Sequence, residues 1–210
     1  MIERDDSFLV CVKPVGVLST DEPGGLPELT RAELGDPGAD VRTVHRLDRV
    51  VGGLMVLARS AESASRLSAQ VRDGTFEKEY LAVIHWRPHS ASGVFTDFLA
   101  RDPRERKTYV TGHPGRDARE AKLEYETLAS RRGMSLMRIH LITGRTHQIR
   151  AQFSARGLPL VGDRKYSRLP DDCPIALWSY RIKFCHPATG EQLSFVRRPP
   201  EIYPWTVFAE

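Results

Sequence analysis

Three short stretches of the sequence carry side chains whose types and spacing suit catalysis. The densest is Val44-His45-Arg46-Leu47-Asp48-Arg49, which stands immediately before a glycine pair and the apolar run Gly53 to Ala58. A carboxylate between two arginines stays ionised, because neighbouring positive charge favours the charged form. Asp48 can then serve as a nucleophile or general base. The same residues also suit a surface cluster of ion pairs, which perturbs carboxylates without any chemistry. The second stretch, Thr143-Gly144-Arg145-Thr146-His147-Gln148-Ile149-Arg150, places a glycine, a threonine able to cap and two arginines at the start of a helix. Unpaired N–H groups and the helix dipole favour an anion there, although a capped surface helix with solvated arginines has the same pattern. The third is Lys78-Glu79-Tyr80, where the bland alternative is a tyrosine packed on a sheet face.

These stretches need a scaffold, and the hydrophobic pattern supplies one. Ser7 to Val12 is a short apolar run stopped by Lys13-Pro14 and Gly16, and reads as a buried strand. Residues 19 to 40 are rich in Pro, Gly and acids and read as a loop with one short helix around Leu26 to Leu34. Gly53 to Ala58 is continuous and apolar, as a strand covered on both faces would be. A helix follows, capped by Ser60, striped by Ala61, Ala64, Leu67 and Val71, and ended by Gly74. Lys78 to His85 alternates with the period of a strand. Residues 87 to 120 read as irregular connections with short strands. Further strands are expected at Lys122 to Leu128, Ser135 to Leu141, Ala176 to Phe184 and Gln192 to Phe195, with a proline-marked tail after Pro199.

A helix beginning near Thr146 would turn Ile149 and Phe153 inward and set His147, Arg150 and Ser154 together on its other side. Strands outnumber helices and often follow one another directly, which favours a mixed or antiparallel α+β sheet over a doubly wound fold. The chain of 210 residues fits a single domain, 1–210.

Several chemistries lack their signatures. There is no HExxH and no His/Cys grouping at zinc spacing, so no metal is expected. Nor is there a G-x-S-x-G, a P-loop or a G-x-G-x-x-G, which leaves carboxylate-centred chemistry without a cofactor. Cys11, Cys173 and Cys185 form no CxxC and are expected to be reduced. No apolar stretch reaches the length of a membrane helix and no signal pattern opens the chain, so a cytoplasmic protein with no membrane partner is expected.

Charge is unevenly spread. Residues 1 to 41 hold three basic and nine acidic side chains, a net of −6, which leaves 28 basic and 18 acidic in residues 42 to 210, a net of +10. Arginine supplies 25 of the 31 positive charges. Its planar fork suits phosphate, so a polyanion partner accounts for this balance, as does a GC-rich genome.

Taken jointly and in order, the stretches resemble the RluA-like family of pseudouridine synthases. His45-Arg46-Leu47-Asp48 followed by Gly53-Leu54 is similar to the family's signature around its catalytic aspartate. Lys78-Glu79-Tyr80-Leu81-Ala82 resembles its tyrosine motif, and Gly144 to Arg150 its arginine motif. Lys13-Pro14-Val15-Gly16-Val17-Leu18, and Leu160-Val161-Gly162-Asp163 with Tyr166, also match. The resemblance spans roughly residues 8 to 200.

It implies a central mixed, largely antiparallel sheet flanked by helices, with a basic active-site cleft. Asp48 would be the catalytic carboxylate, Tyr80 the aromatic against the target uracil, and Arg150 the partner of Asp48. Arg46, Arg49, Arg145 and His147 would contact RNA. The expected activity is the isomerisation of uridine to pseudouridine in tRNA or rRNA, with no cofactor and no obligate protein partner. Many relatives carry an N-terminal S4-type domain; here the first motif begins near residue 8, so a stand-alone catalytic domain is expected.

Departures from the family pattern stand beside these matches. Val51-Gly52-Gly53 replaces the usual Thr-Ser before glycine, Val12 replaces a common Asn, Leu177-Trp178-Ser179 replaces a common Leu-His-Ala, and Ala151-Gln152-Phe153 follows Arg150 where a Val-His-Leu type is usual. Two readings of another class remain: a non-catalytic RNA-binding or chaperone module that keeps the fold, and an aspartate-dependent hydrolase of nucleotides or glycosides.

Overall fold

A computed structural model describes residues 1–209, which divide into two compact units: Met1–Lys78 with Trp178–Arg198, and Glu79–Leu177 with the C-terminal residues from Pro199. In chain order the elements are β1 (Glu3–Arg4), β2 (Phe8–Lys13), α1 (Leu26–Leu34), β3 (Arg42–Thr43), β4 (Gly52–Ala58), α2 (Ala61–Asp73) and β5 (Glu77–His85). There follow β6 (Ser92–Asp102), β7 (Lys107–Thr111), β8 (Ala118–Arg131), β9 (Met134–Leu141), α3 (Gln148–Ser154), β10 (Leu177–Cys185) and β11 (Gln192–Val196).

The first unit is built on β4, whose seven residues are all buried, as an uninterrupted apolar strand requires. One edge of β4 pairs antiparallel with β2 along Lys13–Phe8. The other edge is shared: β10 pairs parallel at Gly52 and Gly53, and β3 pairs antiparallel at Leu57 and Ala58. Strand β11 extends β10 and β1 extends β2, both antiparallel. Leu67 of α2 is wholly buried and closes this core with Phe8, Val56, Phe76 and Phe184. Ser60 caps α2 by accepting the Ser63 N–H at 3.1 Å, and Gly74, at φ +77°, ends it. Of the expected stripe, Ala61 is exposed because it precedes the turn that reaches the core.

The second unit is an antiparallel sheet in the order β5-β9-β8-β6-β7. The expectation of irregular chain from 87 to 120 is corrected: β6 runs for 11 residues and turns into β7. Its pattern was weak because only Phe95 and Leu99, four residues apart, are buried along it. Helix α3 lies over this sheet through Ala151 against Leu99 and Ala121, and through Phe153 against Phe95 and Tyr125. The tail is also corrected, since a 3-10 turn at Trp205–Phe208 packs on Val83, Val161 and Ala176. The fold is α+β, with a mixed sheet and three α-helices. Among the described residues no helix is long and apolar enough to cross a membrane.

Candidate active site

In the first unit, Asp48 sits half-buried on the loop that enters β4. The loop is fixed before it by Ser19, whose hydroxyl donates to Leu47 O at 2.8 Å and accepts Leu47 N–H at 3.0 Å. After it, Val51 N–H closes a turn on Asp48 O at 2.9 Å. The turn is also held at Arg49: its carbonyl accepts Gly16 N–H at 2.8 Å, and its Nε donates to Gly16 O at 2.8 Å. Arg46 is exposed, as is Arg49 apart from this clasp.

Beneath this turn lies Lys13, at 0% exposure. Its Nζ donates to the carbonyls of Val17 at 2.7 Å, Pro14 at 2.9 Å and Arg49 at 3.3 Å. Burial pushes its pKa down from 10.5 to about 8, and the Asp48 charge offsets part of that shift. Asp48 is therefore in the field of a buried ammonium. His45 is buried as well, with burial first and the Lys78 charge second pushing its pKa from 6.5 to about 3. The ring is neutral, and because Nε2 accepts Val56 N–H at 3.0 Å, the proton resides on Nδ1.

In the second unit, Tyr80 lies on β5 opposite Ile139, 6% exposed. Arg150 of α3 is 4% exposed and fork-paired to Asp163, Nε to Oδ2 at 2.8 Å and Nη2 to Oδ1 at 2.7 Å. Two parallel charged hydrogen bonds fix a guanidinium in direction as well as place. Tyr166 lies against it, its ring 5.0 Å from the guanidinium carbon. Of the expected grouping, Arg150 and Ser154 lie on the helix and His147 stands just before it, yet all three meet Tyr166: Nδ1 of His147 bonds the phenol at 2.8 Å and Ser154 Oγ donates to the Tyr166 carbonyl at 2.8 Å. Burial raises the Tyr166 pKa, so the phenol stays protonated.

The start of α3 corrects the expectation of a Thr146 cap. The helix begins at Gln148, after His147 at φ +54°, and the Gln148 carboxamide gathers the preceding loop. Its Oε1 accepts from Thr143 Oγ1 at 2.8 Å and Arg145 N–H at 2.9 Å, while Nε2 donates to Lys122 O at 3.1 Å. A side-chain amide offers both acceptor and donors, which a threonine hydroxyl cannot supply at that reach. Arg145 is exposed, with Nε bonded to Glu120 O at 2.9 Å.

The structure thus sets Asp48, Arg46 and Arg49 in one unit, and Tyr80, Arg145, His147 and Arg150 in the other. Sequence reasoning gave no role to Lys13, Asp163 or Tyr166. A signal for Lys13 was present: it shares a strand face with Leu9 and Cys11, both buried. Asp163 and Tyr166 stood in the sequence only as part of a matched segment; the Asp163 pairing was not legible, since its partner stands 13 residues away on a different element.

The family profile described as RNA pseudouridylate synthase matches residues 7–155. The dual-specificity RNA pseudouridine synthase RluA of Escherichia coli K12 is 32% identical over 209 residues, covering 93% of this chain and 90% of that protein. An RNA pseudouridine synthase of Aquifex aeolicus, described as uncharacterized, is 30% identical over 230 residues, covering 98% of this chain and 72% of that protein. Among solved structures, human RNA Pseudouridylate Synthase Domain Containing 4 superposes with a TM-score of 0.79 at 24% identity, covering 95% of this chain and 88% of that one. Profile, relatives and fold converge, and the chain belongs to the RNA pseudouridine synthase family, enzymes that isomerise uridine within RNA.

Proposed function

We propose that Asp48, Tyr80 and Arg150 act together on one uridine of a tRNA or rRNA in the cytoplasm, with Arg46, Arg49, Arg145 and His147 in contact with the RNA. The isomerisation breaks the bond from N1 to C1′, turns the uracil and joins C5 to C1′; the proton lost from C5 is balanced by one gained at N1. Asp48 either attacks C1′ or removes a ribose proton, and in both cases it must be ionised. The observation that supports the reading is the buried Lys13 ammonium beneath the turn that carries Asp48, whose charge it feels.

Chemistry at a base requires it to leave its stack, and Tyr80 gives a flipped uracil an aromatic face to rest on. The exposed arginines supply phosphate contacts, which dominate affinity without choosing the target. A non-catalytic RNA-binding role is not favoured, because the relatives are named synthases.

The test is release of tritium to water from RNA labelled at uridine C5, prepared from a strain lacking the gene. The parent protein should release tritium, and Asp48→Asn should lose activity by roughly 10²-fold or more while binding the RNA nearly as well. Arg150→Ala should lose both activity and stability. Normal turnover in either variant would overturn the assignment.

A further inference from the structure

Gly52 and Gly53 are adjacent, yet different physics requires each. Gly53 holds φ +120°, and a Cβ there would lie 2.4 Å from Ser179 O and 2.5 Å from Ser179 N. Backbone conformation and backbone contact both demand glycine. Gly52 has no left-handed φ. A Cβ there would instead meet the indole of Trp178, 2.6 Å from Cζ3 and 3.1 Å from Cε3, with a Val15 methyl at 3.2 Å.

The indole cannot swing clear without loss. Its Nε1 donates to Arg197 O at 2.8 Å, it is 8% exposed, and its backbone pairs in register with Gly52 itself. Two departures from the family pattern, glycine at 52 and tryptophan at 178, are therefore in contact: the indole fills the space that a side chain at 52 would need.

The place of that contact matters. Gly52 is where the loop carrying Asp48 passes into β4, one residue after the turn that Val51 closes on Asp48 O. Ser19 holds the start of this loop and Gly16 with Lys13 its middle, all through hydrogen bonds. At its exit the contact is the indole.

We propose that Trp178 is a positioning residue for Asp48: the ring sets the exit of the turn, and position 52 is glycine to admit it. The inference rests on Asp48 being the catalytic carboxylate. Trp178 acts through the turn, so its effect belongs in turnover and not in RNA affinity.

The experiment compares the parent with Gly52→Ser, Trp178→His and the double variant. Apparent kcat and KM are measured for tritium release from the C5-labelled total RNA described above, with Asp48→Asn as control and melting temperatures alongside. Each single variant should lower kcat by about tenfold or more, a small displacement at the reacting group sufficing for that, with KM nearly unchanged. The double variant should recover most of the loss.

Should a single variant fail to fold, Trp178→Phe and Gly52→Ala replace the pair, and Gly52→Ala should be better tolerated when combined with Trp178→Phe than when introduced alone. Losses that simply multiply, or variants that lower only the melting temperature, would overturn the inference while leaving Asp48 in place. An active Asp48→Asn would overturn the assignment beneath it, and the inference with it.

Discussion

Removing the Asp163 carboxylate takes away the two parallel hydrogen bonds that fix the direction of the buried Arg150 guanidinium. Asp163→Ala should therefore destabilise the protein by about 1.5–3 kcal/mol, the usual worth of hydrogen bonds to charged groups; urea unfolding measures it, and an unchanged midpoint would show that the fork contributes nothing to stability. Lys13 leads to a prediction of mixed sign. Folding lowers its pKa from 10.5 to about 8, so between those values the unfolded chain holds a proton that the folded chain has lost. Stability should rise as the pH climbs from about 8 toward 10.5. Over the same interval tritium release should fall, because the buried positive charge whose field reaches Asp48 disappears. Lys13→Met should abolish both trends, which melting curves and rates between about pH 7 and 10.5 will reveal.

Among the elements, β4 shows how a strand can be completed by a side chain. On the edge away from β2, β10 covers its start and β3 its end, and between them the Val56 N–H is accepted by the His45 imidazole. That arrangement requires a neutral ring. Between pH 6.5 and about 3 the unfolded chain takes up a proton that the folded ring refuses, so stability should fall as the pH drops through this window. His45→Gln should flatten that part of the melting temperature profile relative to the parent.

Apolar runs made β2, β4, β5 and α2 legible in the sequence, because burial on both faces or along one helical stripe leaves a plain periodicity. Strand β6 was not legible, since Thr96, Asp97 and Arg101 alternate with few buried residues and one face stays wet. The aspartate, tyrosine and arginine motifs were readable as motifs. Their supports were not: the Asp163 fork and the Trp178 wedge join residues distant along the chain, and local spacing holds no trace of them.

For the whole molecule, the net charge of +10 beyond residue 41 sets how binding responds to salt. RNA affinity should fall linearly with the logarithm of salt concentration, and Arg46→Gln should weaken binding to all RNAs while lowering the slope by about 1. Arg49→Gln should do the same and also reduce turnover, because its Nε clasps Gly16 beside Asp48. Titrations at several salt concentrations, paired with rates, separate the two arginines; identical behaviour would mean that the clasp is idle.

Tyr166 answers to several unrelated demands at once. Its phenol accepts the Thr108 N–H of β7 at 2.7 Å and meets His147, its ring lies against Arg150, and its carbonyl receives Ser154. Phenylalanine would keep the ring and strand an amide; histidine would be too short for the hairpin. A position bound in so many ways has almost no room to drift, so variation among descendants of this chain should collect around Tyr166 and leave the tyrosine itself untouched.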